Sequence, residues 1–118
     1  MTAAVYKHLS IEKAMEFIGD KDSVRTLLET LQQSLAQDTP DIQTQLDRGD
    51  VPGANRLLHQ FKGFAPVFCT PELVQDIVHV EHLSKGQDLQ AVRDAYTPLA
   101  PKLHELLVEV RRYLADAS

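Results

Sequence analysis

His59 is followed by a lysine three positions later and a glycine four positions later, Lys62 and Gly63. In a helix that turns about 100° per residue, Ala54, Leu57, Leu58, Phe61, Phe64, Ala65 and Phe68 gather on one apolar face. His59 then projects roughly 200° away from Phe61, on the watered side. Helical side chains lean toward the N-terminus, so whatever stands at position 63 would lie over the imidazole. Glycine costs about 0.5–1 kcal/mol relative to alanine inside a helix, and here it leaves the ring uncovered. Lys62 puts an ammonium beside anything negative attached to that ring. An exposed imidazole with a neighbouring cation and clear space above it suits nucleophilic attack on phosphorus and temporary storage of the phosphoryl group.

Asn55, Arg56 and Pro66 share the exposed side, one or two turns away, and are the candidate docking rim. Arg56 and Lys62 make a local positive spot on a chain whose net charge is −5, which favours an acidic partner pocket. His79 and His82 flank Glu81, but zinc needs three or four converging ligands, and Glu81 points nearer the apolar face of its helix than toward them. No metal site is therefore expected. His8 and His104 are isolated, and Cys69, between Phe68 and Thr70, reads as a small buried residue at a helix junction. A glycine-rich phosphate loop and a kinase signature are both missing, so any phosphoryl group must arrive from, and leave to, another protein.

The elements that position these residues read as helices throughout. Ser10 caps a short one to about Ile18, and Asp20 or Asp22 caps a longer one to about Gln37. Thr39-Pro40-Asp41 reads as the start of a short connecting helix ending near Gly49. Asp50, with Pro52 in the first turn, opens the His59 helix. Thr70-Pro71-Glu72 opens the next, whose inner face is Leu73, Val74, Ile77 and Val80, and Lys85-Gly86 stops it. From Leu89 to Tyr113 an apolar seam keeps its three-four spacing straight through Pro98 and Pro101. Each proline removes a backbone donor and crowds the preceding turn, so a kink or one-turn interruption is expected near Asp94 to Leu99. The expected fold is all-α, an antiparallel up-and-down four-helix bundle with an additional short N-terminal helix and the short connecting helix. Its domain spans residues 9–116 behind a flexible tail, residues 1–8.

The bulk numbers agree with this reading. The 118 residues suffice for one domain with its own core. One cysteine excludes an internal disulfide and suits a reducing compartment. No apolar run approaches the ~18 residues of a membrane span, so a cytoplasmic, monomeric protein is expected. The acidic balance argues against nucleic acid. That leaves proteins or small molecules as partners.

His59-Gln-Phe-Lys62-Gly63-Phe-Ala65 resembles the H-x-x-K-G-(S)-A signature of histidine-containing phosphotransfer (HPt) domains. Val80-Glu81 is similar to the Leu-Glu pair common in that family. Phe64 departs from the pattern where serine is common, as do Pro66 after the alanine and Cys69 near a frequent glycine. The resemblance implies a carrier without an ATP site, rather than an enzyme. His59 would accept a phosphoryl group from the phosphoaspartate of one receiver domain and pass it to the aspartate of another. Lys62 would stabilise the phosphohistidine, and Gly63 would give access. The receivers would belong to a hybrid sensor histidine kinase and a response regulator; magnesium is expected in the receiver, with no cofactor of the chain's own. A docking module that inhibits signalling without carrying phosphate, and a metal-binding helical bundle, are the alternatives.

Overall fold

The structure, a computed structural model, describes residues 6–86 and 88–116. Five helices follow in order: α1 (Ile11–Ile18), α2 (Lys21–Asp47), α3 (Val51–Phe68), α4 (Pro71–Lys85) and α5 (Leu89–Asp116), with no strand among the described residues. The closest pairings are α3 with α4 and α2 with α5; α2 with α3 and α4 with α5 complete a ring, and α1 lies across α2 and α3. One continuous core fills that ring, with Leu28, Leu35, Leu58, Phe61, Ile77, Tyr96 and Leu103 fully buried in it.

Local chemistry explains most of the helix ends. The side chains of Ser10, Asp20 and Asp50 accept the amides of Lys13, Ser23 and Gly53 at 3.2, 2.9 and 2.9 Å, which satisfies otherwise orphaned donors. Gly19 ends α1 at φ 81°, the left-handed conformation that glycine adopts without strain. Thr70 sits at the N-cap of α4 but makes no capping bond with its side chain. At α3 the cap is tightly fitted, since a Cβ on Gly53 would collide with the Asp50 carboxylate. Asp50→Ala is therefore expected to cost about 1 kcal/mol, read as a lower urea midpoint at unchanged slope.

One sequence expectation is corrected and another is narrowed. No separate connecting helix exists: α2 runs unbroken through Pro40 to Asp47. Thr39 does not act as a cap, because its Oγ1 is buried without a hydrogen-bond partner. The Thr39 carbonyl instead accepts the Tyr96 hydroxyl of α5 at 2.8 Å, and Leu35, Ile42 and Leu46 keep one phase across the proline. Likewise α5 has no one-turn interruption. Pro98 and Pro101 are both exposed, and the carbonyls they leave without a helical donor belong to exposed Asp94 and Thr97, where water can replace the missing amide.

The tail expected over residues 1–8 is anchored at Lys7 and His8; residues 1–5 lie outside the described residues. Successive amides of Lys7, His8 and Leu9 donate to the Glu109 carboxylate of α5 at 2.6, 2.9 and 2.9 Å. His8, isolated in the sequence, is buried, with Nε2 3.0 Å from Glu105. Ser10 N–H donates to the Phe68 carbonyl and Thr70 N–H to that of His8, so the segment also straps the α3–α4 junction. Cys69 lies under this strap, buried, and burial pushes its thiol up to about 12, out of reach of thiolate chemistry at neutral pH.

Candidate functional site

His59 stands on the outer face of α3 with its side chain 70% exposed, across the helix from the buried Phe61. The periodicity that buries Phe61 forces His59 outward. Gly63, one turn on, is exposed, and nothing lies within 4 Å of where a Cβ would stand. Its φ is not among the positive ones, which are Gly19 and Gly49. Neither backbone conformation nor packing therefore calls for glycine at 63. Phe64, where the resemblance leads one to expect serine, leans on Phe61 with ring centroids 5.1 Å apart and so joins the core side.

Beneath the imidazole lies a carboxylate whose role the sequence does not disclose. Glu81 of α4 is fully buried, and its Oε2 is 3.7 Å from His59 Nδ1. Lys62 Nζ approaches Oε1 at 3.4 Å and Lys85 Nζ approaches the same oxygen at 3.6 Å. Asn55 donates through Nδ2 to Glu81 Oε2 at 3.2 Å and to Ser84 Oγ at 2.7 Å. Ser84 in turn donates to the Glu81 carbonyl at 2.5 Å. A signal exists in outline: Glu81 and Ser84 fall on the Leu73, Ile77, Val80 stripe, and a carboxylate on a buried stripe must find countercharge.

Burial by itself would push the Glu81 carboxyl up. Hydrogen bonds from Asn55 and Lys62, with the charges of Lys62 and Lys85, outweigh it and hold the group below the ordinary carboxylate range. A carboxyl depressed on folding stabilises the fold above its unfolded value of 4.5, and that contribution is lost as pH falls through the folded value. Urea midpoints should thus be flat above about pH 5 and fall below it, with a shallower fall in Glu81→Gln. An equally steep fall in that variant would assign the acid sensitivity to other groups.

The other expected residues are dispersed. Arg56 and Pro66 are exposed on the His59 side. Asn55 belongs less to the rim than expected, since its amide is turned inward onto Glu81 and Ser84. His79, His82 and His104 are exposed, and among the described residues no group of three or more His, Cys, Asp and Glu side chains could hold a metal ion. No helix among the described residues is long and apolar enough to cross a membrane.

The family model of the Hpt domain matches residues 23–115, a span that reaches from α2 into α5. The chain belongs to the Hpt domain family. Neither the curated proteins nor the solved structures gave a match. Hpt domains are phosphocarrier modules of phosphorelays that interact with receiver domains. The match begins after α1, so α1 and the strap before it lie outside the matched region.

Proposed function

We propose that this Hpt domain, a cytoplasmic monomer, accepts a phosphoryl group from the phosphoaspartate of one receiver onto His59 and passes it to the aspartate of another. The receivers are those of a hybrid sensor histidine kinase and of a response regulator. The observation that carries the reading is the posture of His59: Nδ1 is turned to a buried carboxylate, and the far side of the ring is open to solvent. The negative charge of Glu81, 3.7 Å from Nδ1 and outside hydrogen-bond distance, favours the tautomer that carries its proton on Nδ1 and leaves the lone pair on Nε2. Nε2 forms the bond to phosphorus as the bond to the aspartyl oxygen breaks, and the receiver keeps the freed carboxylate. Magnesium expected in the receiver supplies charge neutralisation there; this chain contributes the nucleophile, the Lys62 ammonium and the clearance at Gly63.

The same reading gives the scaffold its sense. Two- and three-residue links join α1 to α2, α2 to α3 and α3 to α4, which supports an up-and-down antiparallel order for the long helices. Arg56 and Pro66 form the rim that meets the receiver, with Asn55 behind them. Incubation with a phosphorylated receiver tests the proposal. Label should move to this chain, be lost in acid, survive in alkali, and pass on to a second receiver. A stable complex without label would replace the carrier by a docking module.

A further inference from the structure

Glu81 has two ammonium partners where one would neutralise it. Its side chain is 1% exposed, and Lys62 from α3 and Lys85 from α4 both address Oε1, at 3.4 and 3.6 Å. The other oxygen is occupied by Asn55 and faces His59. A buried carboxylate stripped of its only countercharge is strongly destabilising, whereas an exposed pair of the same spacing contributes little. The second lysine is therefore redundant while the site is at rest. A phosphoryl group on His59 changes that, since it brings up to two negative charges to the surface one turn from Lys62. Lys62 has to leave Glu81 to reach it. Lys85 is four residues from Glu81 on α4 and stays behind.

We propose that Lys85 is a positioning residue: it holds the charge of Glu81 while Lys62 leaves for the phosphoryl group on His59, so that the two lysines act as an exchange pair. This rests on the reading of His59 as the phosphoryl acceptor. Without Lys85, Lys62 is retained by Glu81 and the phosphohistidine loses its cation. With Lys85 in place, Glu81 stays ionised in both states and keeps Nδ1 oriented throughout.

The test compares the wild type with Lys85→Met, Lys85→Arg and Lys85→Met in a Glu81→Gln background, each labelled by a phosphorylated receiver. In Lys85→Met the phosphohistidine half-life should fall about tenfold, the size of one charge-assisted contact, while the melting temperature of the unlabelled protein stays near wild type. Lys85→Arg should restore the half-life. In the Glu81→Gln background, Lys85→Met should have no effect, because no buried charge is left to hold. Removing both lysines, as Lys62→Met with Lys85→Met, should lower the melting temperature by more than the two single losses together. A labelled Lys85→Met protein with wild-type half-life, or additive melting losses, would overturn the exchange. A wild-type chain that takes no label would instead overturn the acceptor reading beneath it.

Discussion

His59→Gln is expected to take no acid-labile label from a phosphorylated receiver, and to melt within about 1 °C of the wild type. The side chain is 70% exposed and spends none of its surface on the core, and glutamine is a good helix former of similar reach. The loss is complete because no nucleophile replaces the ring. The chain has five histidines, of which His79, His82 and His104 are also exposed, so exposure alone does not single out an acceptor. What distinguishes His59 is a buried carboxylate against Nδ1 and a lysine on the next turn. Residual label in His59→Gln, mapped by peptide analysis to α4, would move the site there.

Gly63→Leu should give the second largest effect, and in a direction opposite to its effect on stability. The position is helical and exposed, with open space where a Cβ would stand, so alanine or leucine there should stabilise the protein by about 0.5–1 kcal/mol. Transfer should nevertheless fall by about a hundredfold with leucine, whose branch leans over the ring and displaces the incoming phosphoaspartate by the ångström or so that an in-line attack does not tolerate. Alanine adds only a Cβ that touches nothing, and should transfer at nearly the wild-type rate. A leucine variant that is both more stable and fully active would remove access as the reason for glycine.

What can be read from the sequence is local or periodic. The caps at Ser10, Asp20 and Asp50, the outward station of His59, and the apolar stripes of all the helices depend on neighbours within a turn or two. Reading fails where a local signal is answered from far away. Thr39-Pro40-Asp41 looks like a helix start in isolation, and only the Tyr96 hydroxyl, 57 residues on, reveals that the Thr39 carbonyl lies inside one long helix. The tail reads as loose because Glu109, which gathers its amides, is about a hundred residues away. Asn55 sits at the edge of the exposed arc, so its phase alone leaves open whether the amide turns outward or toward α4. For Glu81, helical phase points near the core but says nothing of its ammonium partners, which converge from two helices.

The prolines inside α2 and α5 also act on the chain before it folds. Pro40, Pro98 and Pro101 each forgo a backbone bond, yet each fixes one torsion permanently, so the denatured ensemble has fewer conformers to surrender. A ring lodged where the torsion already matches a helix returns about 0.4–1 kcal/mol through that ensemble alone. Part of the stability of the two longest helices thus resides in the disordered state, where no contact of the folded protein would reveal it.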